Sequence, residues 1–387
     1  MPPAQQETRP NNPLKAGAQR FWMRVTEGME VRELWSQFEK DARSSYRFYS
    51  SGLASQVEGR SGFHRGWLIA KALFWAILEK LSPARRVLLL FALVFLFFPL
   101  SGVTVSDQNG PVHFVQFDLR FWGGILLLVV LLLELADRVV MKRDLEIAKD
   151  IQSWLLPGAP LQLPGYQIAY ATRPANTVAG DYYDVILRPG ETPSGDRVLF
   201  VVADVAGKSI PAAMLMATFQ ASLRTLSSSH VPLKEIVSGL NHYACTNSQG
   251  GARFTTAFFA ELDPASGRIS YINAGHNSPI LRRSSGTTEH LDTGGPPLGI
   301  SIEFTHQCGT TNLDPEEWLA VFTDGVVEAV NTAGKEYEES QLIRLVDENA
   351  AVAPAEMLRR LLASLDAFVG NTPQHDDMTC LLLKRST

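Results

Sequence analysis

Apolar residues follow two different patterns along this chain, and the change of pattern separates a front part from a rear part. In the front part they form two nearly uninterrupted runs, VLLLFALVFLFFPLSGVTV at 87–105 and FWGGILLLVVLLL at 121–133. Runs of about 20 apolar residues are typical of helices that cross a bilayer. The pattern predicts a transmembrane helix at 87–105, a short external loop at 106–120 and a second transmembrane helix at 121–139. The alternative is a helical hairpin buried in a protein core.

Basic residues that flank these runs predict their orientation. They are Lys80, Arg85 and Arg86 before the first run, and Arg138, Lys142 and Arg143 after the second. Lys and Arg are enriched on the cytoplasmic side of membrane helices. We therefore expect an inner (cytoplasmic) membrane protein with two spans, with both termini and the rear part in the cytoplasm.

Two segments precede the runs. Residues 67–86 combine apolar positions with Lys71 and Glu79, which favours an amphipathic helix at the membrane interface, with a third span as the alternative. Residues 1–66 are expected to form a partly disordered cytoplasmic segment with one short helix, because apolar positions between Val31 and Tyr49 recur at three- and four-residue steps.

Behind the second run, a linker helix is predicted at 140–157, where Pro157 ends it. Its residues Met141, Leu145, Ala148, Gln152 and Leu155 recur at the spacing of a coiled-coil seam. This spacing predicts a homodimer formed through the spans and the linker helix. The alternative is a helix that packs on its own domain.

Residues 158–387 show short strand-like runs and amphipathic helices that come in blocks, with turn signals such as Ser266-Gly267 between them. Blocks of strands and helices favour an α+β fold with antiparallel sheets over a doubly wound parallel sheet. We expect one domain over this range.

Composition narrows the choice of partners. The chain has 387 residues, with 35 basic and 40 acidic side chains and a net charge of -5. It therefore lacks the basic footprint of a nucleic-acid-binding protein, and we expect no nucleic-acid partner. Its three cysteines are widely spaced, which excludes a disulfide scaffold.

Candidate chemistry lies where strand-like runs begin or end. Asp181 opens one such run, Asp204 ends LFVVAD, Asp324 ends LAVFTD, and Asp376 and Asp377 precede MTCLLL. Carboxylates followed by small residues suit a hard cation such as Mg²⁺ or Mn²⁺. Taken singly, each aspartate is more often a turn or cap residue.

Together, these motifs carry a resemblance. The segments AGDYYD, ADVAGKSIPAAMLM, FTTAFFAELD, INAGHNSPIL, FTDGVVEA and HDDMT resemble those of the metal-dependent protein serine/threonine phosphatases (PPM) in their bacterial SpoIIE/RsbU-type branch. The resemblance implies an αββα sandwich, in which two antiparallel sheets are flanked by helices and two Mn²⁺ or Mg²⁺ ions lie at one edge.

The resemblance also implies roles for single residues. Asp204 would bridge both ions, with the Val205 carbonyl as an added ligand. Asp181 would bind one ion mainly through water, and Asp324 and Asp376 would complete the other. No side chain would act as nucleophile, since a metal-bound hydroxide takes that role. Lys208 is a candidate contact to the substrate phosphate, with a solvated loop lysine as the alternative.

The implied function is a membrane-anchored phosphatase that acts on a phosphoserine or phosphothreonine regulator in bacterial partner-switching signalling. The implied substrate is a phosphorylated antagonist of an anti-sigma factor. Two alternatives remain open at this point: a catalytically weak docking scaffold, and a metal-dependent hydrolase of a small phosphoester.

Overall fold

The computed structural model describes residues 71, 74–75, 78–97, 103–105, 113–115, 119–189, 195–247 and 253–386. The predictions for residues 1–66, for eight of the twenty residues of the interfacial helix at 67–86 and for most of the loop at 106–120 lie outside the described residues. The chain divides into two compact units, Met1–Asp137 and Arg138–Thr387. Each unit is described by itself.

The first unit contains helix α1 (Pro83–Phe97), strands β1 (Val103–Val105) and β2 (His113–Val115), and the beginning of helix α2 (Leu119–Leu155). The two strands pair antiparallel. Gly123 lets the helices approach closely, because a Cβ atom there would lie 3.0 Å from the Ala92 carbonyl oxygen. At the beginning of α1, Arg85 forms ion pairs with two acidic residues of α2.

The prediction of two membrane spans is wrong. Among the described residues, none of the helices has both the length and the apolar character required to cross a bilayer. Helix α1 has 15 residues, which rise about 22 Å at 1.5 Å each, whereas a bilayer core is about 30 Å thick. The rear of the first predicted span, Val103–Val105, is a strand. In α2, the charged residues Glu134, Asp137 and Arg138 closely follow the apolar run. The inner-membrane location that rested on these spans is corrected with them.

The second unit contains the rest of α2 and the remaining elements. In chain order these are β3 (Tyr166–Arg173), β4 (Tyr182–Arg188), β5 (Arg197–Val205), α3 (Ser209–Ser227), α4 (Leu233–Asn247), β6 (Thr255–Leu262), β7 (Arg268–Ala274), β8 (Ile280–Arg282), β9 (Thr288–His290), β10 (Gly294–Gly295), β11 (Gly309–Asn312), β12 (Trp318–Phe322), α5 (Asp324–Val327), α6 (Glu339–Glu348), α7 (Pro354–Val369) and β13 (Met378–Arg385).

The strands of this unit form two sheets. One has the order β10-β7-β6-β5-β4 with β11 also paired to β7, and the other has the order β3-β13-β12-β8-β9. Every pairing is antiparallel except that of β10 with β7. The predicted α+β fold with two sheets and flanking helices is confirmed.

The alternation of side chains along β5 explains how the layers pack. Phe200 and Val202 point into a core that is shared with Leu319 and Leu381 of the other sheet. The intervening residues of β5 face the opposite way, into a second core formed with helices α3 and α4. A third core lies between the other sheet and helices α6 and α7. Because strand side chains alternate with period two, one strand serves two cores.

The linker helix ends at Leu155, two residues before Pro157, close to the predicted end. Within this helix, Gln152 is buried and bonds to the backbone of its own domain. Such a contact is expected if the helix packs on its own domain, which was the alternative interpretation of the linker helix. The homodimer stays a prediction.

Candidate functional site

Strand register brings the predicted site residues to one edge of the sandwich. Tyr182 pairs with Ala203, so Asp181 and Asp204 lie side by side at the same end of β4 and β5. In the other sheet, Phe322 pairs with Cys380, which places the residues after β12 beside those before β13. Asp324 and Asp376 therefore reach the same edge from the second sheet.

Asp204 is affected by the charges of aspartates that belong to the other sheet. Burial and then the charges of Asp324, Asp376 and Asp377 raise the pKa of its carboxyl to about 7. A carboxyl next to other carboxylates is harder to ionise, because the new charge is repelled. This mutual effect indicates that the aspartates of both sheets lie close together.

Asp181 lies deeper than Asp204 and is held by a threonine. Its exposed fraction is 2%, and burial, followed by the charge of Asp204, raises its pKa well above the usual range. The Thr323 hydroxyl donates to Asp181 Oδ2 at 2.8 Å and accepts from the backbone N–H of Thr379 at 2.9 Å. Thr323 therefore orients Asp181 and ties it to β13.

The exposed side of the group contains Asp324, Asp376 and Lys208. Burial and the charge of Asp376 raise the pKa of Asp324. Lys208 Nζ lies 2.9 Å from Asp376 Oδ2 and donates to the His375 carbonyl oxygen at 2.6 Å. The hydrogen bond to Asp376 raises the pKa of Lys208. Lys208 thus contacts the cluster of aspartates and is not an isolated loop lysine.

Asp377 and Gln152 hold the loop that leads to Asp181. The two carboxylate oxygens of Asp377 accept from the backbone N–H groups of Ala175 and Gly180 at 2.7 and 2.6 Å. From α2, Gln152 donates to the Ala179 carbonyl oxygen at 2.7 Å and accepts from the Ala179 N–H at 2.9 Å. The loop before Asp181 is therefore fixed from two sides.

Two glycines allow the backbone segments to meet at this edge. A Cβ atom at Gly180 would lie 3.1 Å from the Val205 carbonyl oxygen, and one at Gly325 would lie 2.0 Å from the Asp377 carbonyl oxygen. The second contact is too close for any side chain. The Val205 carbonyl, a predicted ligand, thus faces the loop next to Asp181.

The chemistry of these donors fits a hard cation, since carboxylate and carbonyl oxygens are the ligands that Mg²⁺ and Mn²⁺ take. Their positions are not those of a finished site. Within the part of the chain that the structure describes, no three metal-ligating side chains are grouped closely enough to hold an ion. Several of the oxygens instead accept bonds from the protein, as the contacts of Asp376, Asp377 and Asp181 show.

Asp184, which shares the segment AGDYYD with Asp181, points away from this edge. It is fully buried and accepts two hydrogen bonds from the Arg224 guanidinium, at 2.8 and 2.7 Å. This pairing indicates a structural role for Asp184. Of the residues that hold the site, sequence reasoning missed Thr323, although its position directly before Asp324 is a usable signal.

Comparison with known proteins assigns this part of the chain to a class. Residues 194–386 match the family described as stage II sporulation protein E (SpoIIE). The SiaA-PP2C domain of Pseudomonas aeruginosa has the same fold, with a TM-score of 0.55 and 20% identity, over 64% of this chain and 98% of that domain. Residues 194–386 are thus similar to the SpoIIE family, and the rear part of the chain has the fold of the SiaA-PP2C domain.

Two curated relatives are similar over the same part. Protein IcfG of Synechocystis sp. is 28% identical over 273 residues, which cover 64% of this chain and 42% of IcfG. Phosphoserine phosphatase RsbU of Bacillus subtilis is 26% identical over 246 residues, which cover 63% of this chain and 71% of RsbU. The similarity therefore spans less than half of IcfG and about seven tenths of RsbU.

Proposed function

We propose that this chain is a Mn²⁺- or Mg²⁺-dependent protein serine/threonine phosphatase that dephosphorylates a phosphoserine or phosphothreonine regulator. Following the resemblance, the substrate is a phosphorylated antagonist of an anti-sigma factor in bacterial partner-switching signalling. The observation that carries the proposal is the convergence of Asp204, Asp324 and Asp376 from two sheets at one edge. The similarity to RsbU, whose name is phosphoserine phosphatase, supports the class of substrate.

Two cations bound at this edge would supply a nucleophilic hydroxide at neutral pH and charge stabilisation for the phosphoryl group. The residues to hold them are Asp181, Asp204, the Val205 carbonyl, Asp324 and Asp376. Asp204 must be ionised to serve as a ligand, and its pKa of about 7 means that a large share carries a proton near neutral pH. Cation binding therefore releases a proton here.

The protein holds the reacting edge in place through residues that are not ligands. Thr323 keeps Asp181 turned toward Asp204, and Asp377 with Gln152 keeps the preceding loop against the sheet edge. Family relatives with a histidine two residues after the bridging aspartate have a candidate general acid there. Because Ala206 takes that position, the leaving group would receive its proton from metal-bound water or from another group of the protein.

The test is Asp204→Asn in the full chain, with Asp347→Asn as the matched control, because Asp347 is paired with Arg282 outside the site. We expect Asp204→Asn to lose nearly all Mn²⁺-dependent release of phosphate from a phosphoserine peptide and from p-nitrophenyl phosphate. The control should keep wild-type rates. Full Mn²⁺-dependent activity in Asp204→Asn would refute the site.

The substrate class needs its own measurement. Phosphoproteomes of cells with and without the intact gene should differ at a serine or threonine of a small regulatory protein. If the purified chain hydrolyses small phosphoesters but no phosphopeptide or phosphoprotein, the substrate assignment fails although the metal site stands.

A further inference from the structure

Lys208 lies in a loop whose backbone directs it across the sheet edge. The residues on either side have positive φ angles, 113° at Gly207 and 65° at Ser209, whereas Lys208 itself is extended, with φ -135° and ψ 159°. A positive φ at a serine costs about 1 kcal/mol or more, so the surrounding structure enforces this geometry. Its effect is to carry the ammonium group to the segment that precedes β13.

At that position, the ammonium takes part in the same oxygen set that would bind a cation. Asp376 Oδ1 accepts from the backbone N–H of Asp377 at 3.0 Å, and Oδ2 faces Lys208 Nζ at 2.9 Å. Both oxygens of Asp376 are thus engaged within the protein. If Oδ2 ligates a divalent cation, repulsion between the two positive charges at one oxygen favours withdrawal of the ammonium.

After withdrawal from Asp376, the Lys208 ammonium would still lie at the exposed side of the aspartate cluster. The Lys208 side chain is 54% exposed, and its other hydrogen-bond acceptor is the backbone carbonyl of His375, at the border of this cluster. A phosphoryl group held at this edge would present oxygens beside the same border. Lysine is suited to such a contact, since it is a compact point charge on a flexible stem.

We propose that Lys208 is a phosphate-positioning residue whose ammonium exchanges Asp376 for a phosphoryl oxygen when Asp376 takes up a divalent cation. This inference rests on the proposed function, because it assumes that the edge binds both cations and phosphate. Lys208 then competes with the cation for Asp376 when the site is empty, and contacts the phosphoryl group of the substrate when the cation is bound.

The experiment uses the full chain with Lys208→Gln, which removes the charge, and Lys208→Arg, which keeps it. Calorimetric titration with Mn²⁺ alone measures cation affinity, and titration with inorganic phosphate at saturating Mn²⁺ measures anion affinity. For Lys208→Gln we expect Mn²⁺ to bind several-fold more tightly, because no ammonium has to be displaced. Phosphate should bind about tenfold more weakly, as for the loss of one charged hydrogen bond. Lys208→Arg should stay within about twofold of wild type for phosphate.

The two titrations have opposite expected signs, which separates this role from a general loss of structure. A misfolded variant would bind both ligands more weakly, so circular dichroism and thermal unfolding first establish that Lys208→Gln is folded. In the folded variant, unchanged or weaker Mn²⁺ binding, or unchanged phosphate binding, would overturn the proposal. Neither titration needs turnover, so the inference can be decided even if the chain hydrolyses no phosphoprotein.

Discussion

At the scale of single residues, the carboxylates at the sheet edge oppose one another. Asp204 combines burial with three acidic neighbours, and Asp181 next to it is buried as well. Carboxyl groups with strongly raised pKa values cluster at functional sites, where their chemistry compensates for the cost of keeping them together. The repulsion among these carboxylates should therefore lower the free energy of unfolding by an amount that can be measured.

The first prediction concerns pH. In an unfolded chain an aspartate has a pKa near 3.9, whereas folding raises that of Asp204 to about 7. Between these values the folded chain binds more protons, so the free energy of unfolding falls as pH rises from about 4 to 7. With EDTA present, we expect a loss on the order of a few kcal/mol from this group.

Urea denaturation at a series of pH values measures this loss, and Asp204→Asn is the control. The variant has no titrating group at position 204, so its stability should fall less across the same window and exceed that of the wild type at pH 8. Identical pH profiles for the two proteins would show that Asp204 titrates normally in the folded chain.

At the scale of elements, one side chain joins the linker helix to the site. Gln152 makes two hydrogen bonds to Ala179, two residues before Asp181. The helix end and the ligand loop are therefore coupled by a contact that a shift of the helix would break.

We predict that Gln152→Ala destabilises the domain by about 1–3 kcal/mol, because it leaves the buried N–H and C=O of Ala179 without their partner. It should also weaken Mn²⁺ binding, since the loop before Asp181 loses one of its two supports. Chemical denaturation and Mn²⁺ titration measure the two effects. Lys149→Ala, at an exposed position on the same helix, should change neither. Unaltered Mn²⁺ affinity in Gln152→Ala would show that Asp377 alone holds the loop.

At the scale of the whole molecule, the site depends on two sheets that are held face to face. The shared core contains fully buried side chains from both sheets, with Phe200 at 1% exposure and Leu381 at 0%. Neither sheet contains the complete set of aspartates, so packing of this core is a condition for the site.

We predict that Phe200→Ala lowers the free energy of unfolding by about 3–5 kcal/mol, the usual cost of a large cavity in a core. Leu187→Ala, a truncation at a strand position that is 53% exposed, should cost much less. Urea denaturation monitored by tryptophan fluorescence compares the two. Equal losses would mean that Phe200 is not part of the central packing.

A second prediction at this scale concerns the unit Arg138–Thr387. It contains all three hydrophobic cores and every proposed ligand, so residues 138–387 should fold when produced alone. A single cooperative unfolding transition would confirm this. Loss of cooperativity on removing residues 1–137 would show that the first unit is needed for folding.

Much of the fold could be read from the sequence, because the signals are local. Short apolar runs identified β5 and β13, and Pro157 marked the end of the linker helix near its observed end at Leu155. The aspartates at strand ends were found for the same reason. In antiparallel sheets these ends return to common edges, so position in the strand predicts position in space.

Other features depended on tertiary structure. The apolar runs at 87–105 and 121–133 predicted two spans, because hydropathy records how apolar a segment is and not where its helix ends. The first helix ends at Phe97 after 15 residues, and the second continues past its apolar run into a charged segment that contains Glu134, Asp137 and Arg138. The contacts of Lys208 with Asp376 and of Gln152 with Ala179 join residues 168 and 27 positions apart in the chain. No local pattern encodes them. They arise when two sheets and a helix meet, and it is this packing that decides which oxygens at the edge are free to bind a cation.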